Sequence, residues 1–226
     1  MKYNYLIVIM MFISSIVLGQ SNTGMFMFQI DGNNYTKKSY DKNGNLQGSQ
    51  ILKVGQVDKK VDQYTMTIKA YSYDKNGKMS TGSNTIYKCK PTDKLALMNI
   101  FPFADFGKNK TINVESKTSL IFFPTVWETG KKIDNISFSI SIKGNSLVAI
   151  GTTAKIRITD REITTFDKLK SAYTITSKMQ IKVYAFGLLV NTISYSIEEI
   201  VNPNKGIIKQ YFKEASGDYF KIELQQ

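Results

Sequence analysis

The chain has 226 residues, with 30 Lys+Arg against 18 Asp+Glu, no His and one Cys. The lack of imidazole excludes Ser-His and Cys-His catalysis and His-ligated metals, and a lone thiol excludes an internal disulfide or a thiolate metal cluster. With 42% hydrophobic residues, 21% charged residues and 4 Pro, the composition is that of a chain that buries a core, not of a disordered tail.

Residues 1–19 read as an export signal. Lys2 supplies the positive start, Leu6 to Leu18 the apolar stretch, and Val17 and Gly19 the small residues that place the cut after Gly19. The stretch is shorter than the roughly 20 apolar residues of a spanning helix, and Ser14 and Ser15 interrupt it. Gln20 follows the cut where a lipid-anchored protein would carry Cys. No later segment reaches spanning length, so no transmembrane segment is expected after cleavage. The expected mature chain is one exported all-β domain over residues 20–226. Its strands fall into two groups, about 25–100 and 108–226, that share one core.

Tyr40-Asp41-Lys42-Asn43-Gly44 is nearly repeated as Tyr73-Asp74-Lys75-Asn76-Gly77, and Asn-Gly between alternating runs predicts hairpins in which both central residues take positive φ. Gly44, Gly48 and Gly55 lie in this hairpin context, not in a phosphate-cradling loop that opens a helix. Between the two copies Met66, Ile68 and Ala70 alternate with Thr65, Thr67 and Lys69, the pattern of a strand with one wet face. Cys89 follows at a strand end and reads as a small packing residue or free thiol. The sequons at Asn34, Asn109 and Asn135 read as chance.

One short helix is expected, capped by Thr92 or Asp93, propagated by Leu95–Met98 and stopped by Pro102. The next segment crosses between the strand groups and carries Phe101, Phe103, Phe106, Phe122, Phe123 and Trp127. It reads as core filler at the crossing or, functionally, as the rim of an apolar ligand site. Beyond it the period of two returns at Ile136, Phe138, Ile140 and Ile142, again at Ala154, Ile156 and Ile158, then at Met179, Ile181, Val183 and Ala185, and at Ile193, Tyr195 and Ile197. One wet face on each argues for antiparallel pairing.

Asp160 and Glu162, two apart on a strand, should share a face at roughly 7 Å, a spacing like that of paired glycosidase carboxylates, although a solvated strand end is the plainer reading. Glu198 and Glu199 are adjacent and should face opposite ways. The run Phe186-Gly187-Leu188-Leu189-Val190 reads as part of the apolar site or as a strand buried on both faces. Asn202-Pro203-Asn204-Lys205-Gly206 and Ser216-Gly217-Asp218 mark the last turns.

Taken together, the two Tyr-Asp-Lys-x-Gly hairpins, Tyr87-Lys88-Cys89-Lys90, Phe123-Pro124 with Gly130, Asp160-Arg161-Glu162, Thr165-Phe166 and Lys205-Gly206-Ile207-Ile208-Lys209 resemble the TapB-like exported β-proteins of Gram-negative bacteria, a domain family of unknown function. The resemblance spans most of the mature chain. It implies a mostly antiparallel, strongly curved sheet or an incomplete β-barrel or sandwich, and no activity. It also implies a second cysteine after a Pro-Ala-Gly-Thr-Phe stretch; here the run is Glu162-Ile163-Thr164-Thr165-Phe166-Asp167-Lys168 and carries none.

The net charge of +12 suggests nucleic acid, yet the lysines are scattered singly and in pairs such as Lys37-Lys38 and Lys131-Lys132, without a basic helix or a stacking motif. An anionic envelope surface suits an exported chain better, and solubility with edge-strand protection accounts for much of the count. The expectation is therefore an exported, non-catalytic protein of the periplasm, the outer membrane or the extracellular face, without metal, cofactor or nucleic acid. It would bind an apolar or amphipathic ligand such as a lipid, or an envelope partner. The alternative is a structural or adhesive envelope protein, and the remote alternative a hydrolase using Asp160 and Glu162.

Overall fold

In a computed structural model, which describes residues 30–89, 109–115, 123–124, 126–144 and 152–225, the period-two segments become strands of one sheet. The expected helix at 92–102 lies outside these residues, as do Phe101, Phe103, Phe106 and Phe122. The strands of the N-terminal half are β1 (Asn34–Tyr40), β2 (Leu46–Val54), β3 (Asp58–Lys59), β4 (Tyr64–Asp74), β5 (Met79–Cys89) and β6 (Asn109–Glu115). They are followed by β7 (Lys132–Ile133), β8 (Ile136–Gly144), β9 (Thr152–Asp167), β10 (Ala172–Ala185), β11 (Leu188–Asn202), β12 (Gly206–Glu214) and β13 (Tyr219–Leu224).

Pairing runs β10-β11-β12-β13-β1-β2-β4-β5-β6-β8-β9, with β3 beside β4 and β7 beside β9, and β10 also pairs with β9. The sheet is thus curved so strongly that its two ends meet. Antiparallel ladders are the rule, as the one-sided alternation predicts; β5 and β6 are the exception, parallel over Asn84–Lys88 and Asn109–Asn113. A parallel pair needs a crossover connection. The chain between them, residues 90–108, lies outside the described residues, as does much of the Phe101–Trp127 segment in which the crossing is expected. The first and last described strands are neighbours, Tyr35 opposite Leu224, so the N-terminal hairpins and the C-terminal meander are one hydrogen-bonded surface.

One hydrophobic cluster fills the concave side and draws on both strand groups, from Tyr35, Leu52, Met66 and Ile68 to Phe138, Ile156, Ile181, Phe212 and Ile222. Alternation therefore identifies the inner face correctly on β4, β8, β9, β10 and β11. Opposite walls of the curved sheet meet through these side chains, as in a sandwich. At one end Phe212 stacks on Phe220 with centroids 4.6 Å apart, and Tyr195 meets both rings edge-on.

The Asn-Gly hairpins form where expected but with a different turn. Gly44 and Gly77 have φ of 84° and 81°, whereas Asn43 and Asn76 do not enter the positive-φ region. The reason is the preceding aspartate. Asp41 Oδ1 accepts hydrogen bonds from the Asn43 and Asn45 amides at 2.9 Å, and Asp74 Oδ1 does the same for Asn76 and Lys78. That favours a three-residue loop with a single left-handed glycine over a two-residue turn. Gly48 lies within β2, not in the hairpin loop, and a Cβ there would sit 2.9 Å from the Tyr73 carbonyl oxygen.

Phe212 is fully buried between two rings. Phe212→Ala is expected to cost about 3–5 kcal/mol in urea unfolding, the range for a buried aromatic truncated to a cavity, without changing the denaturant slope.

Candidate functional site

On β9 the inward residues are Ala154, Ile156 and Ile158, then Arg161 and Ile163; the phase changes between 158 and 161. Across the ladder Thr159 is opposite Lys178 and Glu162 opposite Thr176, so Asp160 and Arg161 together face Ser177. This is a β-bulge, with Asp160 in the left-handed region at φ 54°. It turns Asp160 outward and drives Arg161 into the core, where it is 2% exposed.

Arg161 Nη1 donates to the Asp134 carbonyl oxygen at 2.8 Å. The guanidinium also meets the charge of Glu199, which is 1% exposed and accepts a 2.5 Å hydrogen bond from Gln210 Nε2. Burial pushes the Glu199 carboxyl up to about 7, against the pull of Gln210 and Arg161. Burial likewise pulls the Arg161 guanidinium down to about 10, against Glu199 and Asp134. The cluster continues as a row across the inner wall, Glu199, Gln210, Ile222, Lys37, Gln50 and Ser72, each directly opposite the next. Lys37 lies 4.9 Å over the Phe220 ring, and Gln50 Nε2 donates to Ser72 Oγ at 3.0 Å.

The outer face of β9–β12 carries a concavity of about 720 Å³ whose polar lining includes Arg157, Asp160, Lys178, Gln180, Lys213 and Glu214. Asp160 and Lys178 pair at 2.9 Å, and that hydrogen bond, then the charge, holds the Asp160 carboxyl below its usual range. Glu162 lies opposite Lys132. Asp160 and Glu162 thus share the outer side of β9, as their spacing predicts, and line one shallow pocket with Lys132 and Asn135, Asp160 being the carboxylate that a lysine holds ionised. Beside the concavity Tyr40 stacks on Tyr219 at 4.8 Å and Tyr211 meets Tyr219 at a tilt, 5.4 Å away, with Lys221 over all three rings.

Of the expected apolar rim, Phe123 and Trp127 are described. They stack at 5.7 Å, Trp127 meets Tyr173 at 5.2 Å, and Tyr173 meets Phe166 at 4.6 Å. Phe123 is buried and Trp127 packs against the core, while Phe166 leaves an exposed edge. Glu198 and Glu199 face opposite ways as expected. Cys89 ends β5 opposite Tyr64. Phe186–Val190 is neither buried on both faces nor part of the aromatic cluster: it is the exposed tip of the β10–β11 hairpin, because both strands run on beyond β12. Among the described residues no group of three His, Cys, Asp or Glu side chains is placed to hold a metal, and no helix is long and apolar enough to cross a membrane. Sequence reasoning missed the Arg161–Glu199–Gln210 cluster, although the apolar phase switch from Ile158 to Ile163 signals a bulge between them.

Two outcomes follow from the cluster. Arg161→Met leaves Glu199 buried beside a lost cation and is expected to cost about 3–5 kcal/mol, most of it regained in the Arg161→Met/Glu199→Leu double variant; denaturant melts of the three proteins check this. The raised Glu199 carboxyl makes the folded state hold its proton more tightly than the unfolded chain. Its stabilisation is therefore complete below the ordinary value of 4.5 and is lost as pH rises through about 7. Thermal melting should fall between pH 5 and 8, and Glu199→Gln should flatten that slope; the carboxylates held low, such as Asp160 and Glu223, act at more acidic pH.

Two solved structures resemble this fold. One is a Bacteroides fragilis protein named as exported, with a YmcC-like fold (TM-score 0.48, 17% identity, covering 87% of this chain and 95% of that one). The other is a Parabacteroides distasonis protein named as a lipoprotein (TM-score 0.49, 16% identity, covering 89% and 98%). No curated protein matches at a significant level. The DUF3108-like family profile matches residues 30–217, from the residue before the first described turn to the last hairpin. A match over that span makes the chain a member of the DUF3108-like family.

Proposed function

We propose that this is an exported, non-catalytic protein of the cell envelope that acts by binding, with the outer face of β9–β12 as its working surface. The leader pattern at residues 1–19 supports export, and the net charge of +12 supports attraction to anionic envelope material. The observation that carries the reading is the cationic outer concavity, set on strands whose inner face is given to the core. With Lys178 engaged by Asp160, the concavity's other cations are Arg157 and Lys213. Together with Gln180, Ser194 and Ser196 they suit an anionic or hydroxyl-rich envelope component.

A second reading, an apolar or amphipathic ligand held at the Phe123–Trp127–Tyr173–Phe166 cluster, is favoured by the half-exposed Phe166. Native mass spectrometry of protein taken from its own envelope separates the two, since this reading requires a co-purifying lipid. A structural or adhesive role would use the charge without a defined site.

Retention of the purified protein on isolated envelopes is expected to fall with salt, and Arg157→Ala/Lys213→Ala should lower it more than Lys75→Ala/Lys78→Ala, which removes equal charge from a distant hairpin. Retention indifferent to salt, or an equal response to the two double variants, would sink the binding-surface reading.

A further inference from the structure

The β10–β11 hairpin is built unlike its neighbours. Its ladder continues to Ala185 opposite Leu188, leaving Phe186 and Gly187 to make the turn at φ of 50° and 84°. Two consecutive positive φ values define the tight turn in which Asn or Gly normally comes first, because a bulky side chain is strained there. The β1–β2, β4–β5 and β11–β12 turns, by contrast, are built on Asp41, Asp74 and Asn202 side chains that accept loop amides. Here an aromatic residue occupies the strained position and is 76% exposed. Core packing gains nothing from it. Strain of this kind is held where function uses it.

On the β12 side the hairpin also projects, while β9 accompanies β10 to Ala185 on the other. The β11–β12 ladder ends at Tyr195–Glu214, so residues 188–194 run on past β12 for about 23 Å at the usual strand rise. Leu188 is 72% exposed, and Leu189 and Val190 are more than half exposed. Leu188 and Leu189 pair with Ala185 and Tyr184 in turn and so face opposite ways, while Val190 is an unpaired bulge residue beside them, so apolar side chains lie on both faces of the tip. A partner strand added to the β11 edge would meet that edge alone; an interfacial lipid layer meets the turn and both faces beside it. Behind the tip Lys182 lies directly across the ladder from Lys155, both exposed, and Lys155 reaches over the Tyr184 ring at 5.0 Å. Like charges placed opposite each other destabilise a sheet, and an anionic surface reverses that cost. They sit three or four residues from the turn, roughly 10–13 Å. That is the depth of lipid phosphates over a tip buried by about 5–10 Å.

We propose that this hairpin docks the protein on an anionic bilayer. Phe186, Leu188, Leu189 and Val190 enter the interfacial layer, and Lys155 and Lys182 meet lipid phosphates. Entry is shallow, because the edge amides and carbonyls of residues 188–194 need water or headgroups as partners. The proposal rests on the envelope location proposed above and adds the element and the lipid chemistry that hold the protein there.

The test is co-sedimentation of the purified exported chain with phosphatidylcholine vesicles, with and without phosphatidylglycerol. Binding to the anionic vesicles is expected, weakened by salt. Phe186→Asp/Leu188→Asp should lower it by about tenfold or more, and Lys155→Ala or Lys182→Ala by about fivefold each. Phe186→Asn, which suits the turn, keeps the comparison valid if the double variant misfolds, and Phe186→Trp should shift its emission to the blue on anionic vesicles alone. Equal binding by wild type and Phe186→Asn overturns the proposal. So does a tip variant that alters only self-association in light scattering, or one that loses envelope retention while the wild type ignores vesicles, which would mean a protein partner. The Arg157/Lys213 surface would survive any of these results, since its variants are read on envelopes and not on lipid.

Discussion

The bulge at Asp160–Arg161 decides more of this protein than any other single feature. One extra residue on β9 opposite Ser177 reverses the facing of Arg161, Glu162 and Ile163, up to a second register shift at Thr164. Without it Asp160 would point into the core and Arg161 into water. With it a carboxylate joins the outer surface beside Lys178, and a guanidinium is delivered to a buried carboxylate on β11, across the intervening β10. Ile163 is brought inside as well, completing the apolar wall that faces Ile175.

That arrangement carries a cost. A buried ion pair recovers little of its desolvation, and apolar residues of similar size would often hold a core at least as well. Glu199 and Gln210 face each other on adjacent strands, and Arg161 bonds the backbone at Asp134, next to β7. The cluster thus ties β9, β11, β12 and the segment before β8 to one arrangement. A slip of one residue on any of these strands would expose an ionised group to the core or strand it there, so the row acts as a register key.

The outer surface reflects a similar division. Most described hairpins are closed by aspartate or asparagine side chains that satisfy the loop amides, which keeps the turns polar and rigid. The β10–β11 tip gives up that chemistry and holds a phenylalanine at positive φ. Inner wall, polar turns and apolar tip are therefore separate uses of one sheet. The inner wall supplies stability, the turns fix register, and the long β9–β11 strands carry the concavity and the tip away from the rest of the surface.

Much of this was legible from residues alone, because a period of two and an Asn-Gly pair are local signals: the strands around Met66, Phe138, Ile156, Met179 and Ile197, and the hairpins at Gly44 and Gly77, follow from them directly. The turn type was not, since Asp41 and Asp74 compete for the loop amides through their side chains. Nor was the bulge, although Ile158 and Ile163 fall on opposite phases. The Phe186–Val190 run has the same appearance whether it is buried on both faces or protrudes, and the length of β11 relative to β12 decides between them. A β protein with one wet face per strand, a surplus of cations and no imidazole chemistry follows from composition and local period alone. Which ends of the sheet meet, that Arg161 and Glu199 share the interior, and that an apolar run reaches solvent each depend on pairings between residues far apart in the chain, which no local pattern encodes.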